Sequence, residues 1–97
     1  MIVLVKRTLS EFAEKNPSAT VALNSWYDIV READWSKPAD IKQAFNNVDY
    51  AGNDRYIFNI KGNDFRLVAM IFFDKRTLFV RFIGTHSEYD RIDCSTI

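Results

Sequence analysis

The sequence predicts an α+β fold, with helices in its front half and an antiparallel sheet in its back half. Three observations carry that expectation. Apolar residues recur at helical spacing as far as Phe45. From Arg55 onward the apolar period drops to two. The alternating runs are separated only by short polar turns, as in strands paired as a meander. At 97 residues the chain fits one domain spanning 1–97, and its 47% hydrophobic residues suffice for a modest core without disulfides or a structural metal.

The elements follow in order. Ile2-Val3-Leu4-Val5 is a short β-branched run, read as a buried strand. Leu9, Phe12 and Ala13 share one face of a helix from Arg7 to Asn16. Pro17 ends it, because the residue before a proline is pushed out of the helical region. Ser18 is placed to cap a second helix. Along that helix Ala22, Trp26, Ile29, Val30 and Ala33 form one apolar stripe, which casts Trp26 as a core residue rather than a base-stacking one. Asp34 to Lys37 is a polar turn. Pro38 suits the first position of a third helix reaching Phe45, and Asn46-Asn47 stops it. Asp49 to Asp54, with Gly52-Asn53, reads as a loop.

Arg55–Ile60, Phe65–Phe73 and Thr77–Thr85 then alternate as strands, joined by Lys61-Gly62-Asn63 and Asp74-Lys75-Arg76. The expected architecture is an N-terminal strand, then two to three helices packed on one face of a mostly antiparallel twisted sheet that ends in a three-strand meander. The other face is left open. Phe65, Leu67, Ala69, Ile71 and Phe73 are apolar throughout and should face the helices, so Arg66 projects from the open side. A two-residue turn at Asp74-Lys75 pairs Phe73 with Arg76. It then puts Arg81, Phe79 and Ile83 on the face of Arg66, whereas a three-residue turn would reverse Arg81. Burial favours the first register.

Composition removes several function classes. Thirteen basic residues balance thirteen acidic ones, which argues against a general polyanion binder but not against a local basic face. No apolar run reaches the ~18 residues of a membrane span. The N-terminal apolar stretch meets Lys6-Arg7 at once and lacks signal-peptide form, so a cytoplasmic location is expected. Cys94 has no cysteine partner, in keeping with a reducing compartment. One histidine and one cysteine do not make a zinc site, and no cofactor is expected. Phosphate-cradling glycine loops are absent. Ser87, His86 and Asp90 lack the nucleophile elbow of a hydrolase triad.

What remains is a polar group converging on the sheet: Asn59, Lys61, Asn63, Arg66, Arg81, His86 and Tyr89. Cleavage of RNA through its own 2′-hydroxyl needs such groups. A base takes the 2′-proton, a cation holds the phosphorane charge, and an acid protonates the departing 5′-oxygen. Arginine binds phosphate bidentately, and a histidine titrating near pH ~6.5 can serve as base or acid. None of these steps requires a metal.

Tyr56 to Asp90 resembles the C-terminal half of HigB-type toxins of the RelE superfamily. The matching pieces are F-N-x-x-G-N-x-x-R-L-V-A-M and T-H-x-E-Y-D, with a hairpin of suitable length between them. The front half is similar too, in a helix ending E-K-N-P and in K-P-x-x-[IL]-K-x-x-F before the sheet. The resemblance implies a RelE-like fold and a type II toxin acting as a ribosome-dependent mRNA endonuclease that inhibits translation. It also implies a cognate HigA-like antitoxin with a helix-turn-helix domain, through which alone the pair meets DNA. Carried over by position, Arg66 is the phosphate-binding arginine, and His86 and Tyr89 occupy the catalytic C-terminal motif. Lys61 lies near where RelE-like members carry basic residues, which makes it a candidate catalytic base, and Asn59, Asn63 and Arg81 position substrate. Asp90 is cast as a structural partner of Arg91 or His86. A non-catalytic RNA- or ribosome-binding module, or a protein-interaction domain, could use the same arginine face. A neighbouring gene for a helix-turn-helix protein would favour the toxin.

Overall fold

A computed structural model describes all residues, 1–97. Its elements run β1 (Ile2–Leu4), α1 (Arg7–Lys15), α2 (Thr20–Glu32), α3 (Pro38–Ala44), β2 (Val48–Gly52), β3 (Arg55–Ile60), β4 (Phe65–Phe72), β5 (Thr77–Thr85) and α4 (His86–Tyr89). The sheet order is β1-β5-β4-β3-β2, with β1 parallel to β5 and every other pair antiparallel. The α+β architecture is as expected, and the meander has four strands rather than three.

One sheet face packs on α1 to α3. Helix α1 turns Phe12 onto Phe65, edge to face at 5.3 Å, and ends where the Asn16 amide and backbone N–H both donate to the Phe12 carbonyl. Helix α2 buries Leu23, Trp26 and Val30. Trp26 and Phe45 meet Phe58 edge to face at 5.4 and 5.2 Å. From β4 and β5 come Leu67, Ala69, Ile71, Leu78 and Val80, all nearly inaccessible. Each such large aliphatic contributes about 1.5–3 kcal/mol on burial. Packing against this face, more than local propensity, holds helices this short.

Several expectations are corrected. Ile2 and Leu4 are 59% and 39% exposed, because β1 is an edge strand and only Val3 turns inward. Ser18 caps nothing: Pro17–Ala19 form a 3₁₀ turn, and α2 starts at Thr20 without a side-chain cap. Ile29 is exposed, and Leu23 takes its place in the buried stripe. Val48–Gly52 is a strand, not part of a loop. It joins β3 through Asn53-Asp54, both at positive φ (50° and 65°), as a two-residue turn of the primed kind demands and these two residue types tolerate.

The β4–β5 register also needs correction. Phe72 pairs with Thr77, as the anticipated turn requires. Beyond Ala69–Val80 the register slips by one, because Arg81 is the extra residue of a β-bulge. Ile83 therefore joins the core opposite Leu67, and Phe82 moves to the other face opposite Val68. Arg81 stays exposed.

Candidate active site

The face away from α1–α3 is not uniformly open. Strand register places Asp49, Ile57 and Val68 in one row, with Asn59, Arg66 and Gly84 in the next. Ile57 and Val68 are buried although no helix of the front half covers that side. The chain after β5 closes it. Thr85 ends the strand and α4 doubles back over the sheet, with Tyr89 against Arg66.

Thr85 and Glu88 build that reversal. The Glu88 N–H donates to the Thr85 hydroxyl, and the Glu88 carboxylate accepts from the Thr85 N–H at 2.9 Å, a reciprocal capping box. Its sequence signature is the T-x-x-E of Thr85 to Glu88. Because Thr85 and Glu88 perform the capping, the His86 imidazole does not cap the strand end. Gly84 permits the close approach of α4. A Cβ there would sit 2.6 Å from the tip of the Phe82 ring and 3.1–3.2 Å from Glu88. Gly84→Ala can be met by a shift of that ring. Gly84→Val overpacks both contacts and is expected to cost roughly 1–3 kcal/mol, seen as a lower Tm.

The candidate residues are distributed as follows. Asn59 and Arg66 are cross-strand neighbours. The Arg66 guanidinium lies 5.1 Å from the Tyr89 ring centroid, a cation–π contact. The Arg66 Nε and the Asn59 Oδ1 are buried without hydrogen-bond partners. An unpaired donor and an unpaired acceptor side by side are costly in a folded chain. Lys61 and Asn63 are exposed in the β3–β4 turn at the same end of the sheet, where Lys61 is 3.7 Å from Asp64. Positive φ at Lys61 and Gly62 (53° and 64°) makes that turn. His86 is half-buried at the start of α4, just after Thr85, the cross-strand partner of Phe65. Asp90 pairs with neither Arg91 nor His86; its N–H donates to the His86 carbonyl. Arg81 is apart from the cluster, three residues before Gly84 along β5, roughly 10 Å at ~3.3 Å per residue.

Tyr89 has the most altered chemistry. Burial pushes its hydroxyl up to about 12, the Cys94 contact at 3.5 Å adds to the rise, and Arg66 opposes it. The phenol therefore keeps its proton throughout the neutral range. Because the folded value lies above the ordinary 10, the neutral phenol stabilises the fold fully below pH 10, and that contribution is lost as pH rises through about 12. A base-induced loss of stability in this window, smaller in Tyr89→Phe, is the expected result.

The family model of HigB toxins, described as the RelE-like toxic component of a toxin–antitoxin system, matches residues 19–92. The chain belongs to the HigB toxin family. The family's toxins act within toxin–antitoxin systems, so an antitoxin is its partner. Among its curated relatives, the mRNA interferase HigB of Escherichia coli O6:H1 is 35% identical over 94 residues, covering 95% of this chain and 91% of the relative. The mRNA interferase toxin HigB of Escherichia coli K12 is 32% identical over 92 residues, covering 93% and 88%. The mRNA interferase HigB of Shigella flexneri matches to the same extent. No helix of this HigB-family chain is long and apolar enough to cross a membrane.

Proposed function

We propose that this chain is a type II toxin that cleaves mRNA on the ribosome, in the cytoplasm, through metal-independent acid–base chemistry in one domain spanning residues 1–97. The observation that carries the reading is the Arg66 guanidinium held on the Tyr89 ring beside Asn59, in a chain whose relatives are named mRNA interferases.

In this reading the RNA 2′-oxygen attacks the adjacent phosphorus as the bond to the 5′-oxygen breaks, leaving a cyclic phosphate and a 5′-hydroxyl. Arg66 neutralises the charge gathered on the phosphorane. Tyr89, protonated at neutral pH, donates to the departing oxygen. His86 accepts the 2′-proton. Lys61, Asn59 and Asn63 line the same end of the sheet and hold the flanking nucleotides, with Arg81 further along the strand. The antitoxin partner is HigA-like, with a helix-turn-helix domain that brings the pair to DNA.

Primer extension on an mRNA in a reconstituted translation reaction tests this. Wild-type cuts should appear at A-site codons, vanish when ribosomes are omitted, and weaken on the order of 10²–10⁴-fold in Tyr89→Phe and His86→Gln. Well-folded, antitoxin-free wild type that binds ribosomes without cutting would leave a binding module as the better account.

A further inference from the structure

We infer that Arg55, at the opposite end of β3 from the site, is a positioning residue for Tyr89: it anchors the C-terminal segment that holds the Tyr89 ring on Arg66. The inference rests on the role given to Tyr89 above.

The anchor is specific. Arg55 Nε donates to the Ile97 carbonyl at 3.0 Å, and its Nη2 donates to the same oxygen. Its Nη1 donates to the Asn53 carbonyl at 2.9 Å, and the Asn53 amide donates to the Ser95 carbonyl at 3.0 Å. Two points of the segment are thus tied to the β2–β3 turn.

Between that anchor and α4 the segment is braced by its own turns. The Arg91 and Ile92 N–H groups donate to the carbonyls of Glu88 and Tyr89. Asp93 accepts from the Ser95 N–H and hydroxyl at 3.1 and 2.7 Å, and those bonds hold its carboxyl below the usual aspartate range. Cys94 Sγ then lies 3.5 Å from the Tyr89 hydroxyl. A shift at Ile97 is therefore passed toward Tyr89 through ordered turns rather than absorbed by slack chain.

Strand register shows what the segment spans. Arg55 and Asn59 are four residues apart on β3, roughly 13 Å at ~3.3 Å per residue, with Ile57 midway. Ile57 and Val68 are 6% and 0% exposed on this side of the sheet. The segment runs from Tyr89, against Arg66, to Ile97, at Arg55, so its ends meet the sheet on either side of this pair. Helix α4 has only four residues, and a helix of that length has no stability of its own. Its first turn is fixed by the capping box, and the orientation of its last residue, Tyr89, depends on the chain that follows.

The test compares wild type with Arg55→Ala, Arg55→Lys and Tyr89→Phe in two measurements. Ultraviolet titration follows tyrosine ionisation, with the Tyr89 transition identified as the one lost in Tyr89→Phe. Single-turnover cleavage on programmed ribosomes gives the rate of the chemical step and its half-saturating concentration. In Arg55→Ala the Tyr89 transition should fall toward the ordinary tyrosine range. The chemical step should slow on the order of 10- to 100-fold with half-saturation unchanged, as for a misplaced catalytic group. Arg55→Lys, which keeps the charge and a single donor nitrogen, should recover part of both. A Tyr89 transition that does not move in Arg55→Ala overturns the inference whatever happens to cleavage. A transition that moves while the rate holds overturns the positioning role. If Tyr89→Phe cuts as well as wild type, the function assigned to Tyr89 fails, and the titration alone then decides whether Arg55 orders that ring.

Discussion

Arg66→Met is expected to lower mRNA cleavage by about 10²–10³-fold, the loss seen when one preorganised donor to a developing oxyanion is removed, while leaving the melting temperature nearly unchanged. The two halves of this expectation have different physical origins. In the reaction the guanidinium supplies permanent charge and paired donors at the scissile phosphate, which a thioether cannot replace. In the fold Arg66 contributes little net stability. Its Nε is buried without a partner, a cost of about 1–3 kcal/mol. The contact with Tyr89 at 5.1 Å returns about 0.5–2 kcal/mol. Arg66 is only half-buried and has no ion-pair partner, so an apolar side chain of similar length should replace it at little cost to the fold. Cleavage on programmed ribosomes and a thermal melt of the same preparation check both halves. A melt many degrees below wild type would assign Arg66 to the fold, and the loss of cleavage would then say nothing about chemistry.

Phe58→Ala should have the largest effect on stability. Phe58 is 1% exposed and sits between Trp26 and Phe45, edge to face with both. It is the point at which α2, the chain after α3, and β3 share one contact. Truncating a buried phenylalanine costs about 3–5 kcal/mol through lost transfer energy and the cavity left behind. The two aromatic pairs add about 0.5–1.5 kcal/mol each. A domain of this size has a total of only about 5–15 kcal/mol, so the variant should be largely unfolded or melt far below wild type. Phe58→Leu, which loses both aromatic pairs but keeps most of the volume, should cost clearly less than Phe58→Ala. Urea unfolding followed by tryptophan fluorescence measures both, since Trp26 reports directly on the site. A cost for Phe58→Ala near that of Phe58→Leu would mean that the core does not close around this ring.

These two residues also show how far the sequence could be read. Phe58 and Arg66 both lie in strands whose alternation was plain, and Arg66 was assigned to the correct face. Val48–Gly52 was missed as a strand because Asp49 and Gly52 are poor strand formers, and pairing with β3 supplies what local propensity lacks. The register from which the face of Arg81 is read breaks at Arg81 itself, the extra residue of the bulge. A bulge adds one residue to one strand and leaves no periodic mark. Ile2 and Leu4 looked buried because a β-branched run does not reveal whether its strand lies at the centre of a sheet or at its edge.

The candidate site divides in the same way. Sequence by itself determined that helices precede a meander, that Arg66 leaves the helix-packed face, and that T-H-x-E-Y-D follows the last strand. Each is set by periodicity or by contacts within a few residues. Tertiary structure alone decided that this motif turns back over the sheet, that Tyr89 lies on Arg66, and that its phenol is held up at about 12 by burial. It also brought Arg55 to Ile97 and Asn53 to Ser95, pairs 42 residues apart in the chain. A hydrogen bond over that separation leaves no trace in local hydrophobic pattern, because the two groups become neighbours only once the sheet has placed its far end beneath the returning chain.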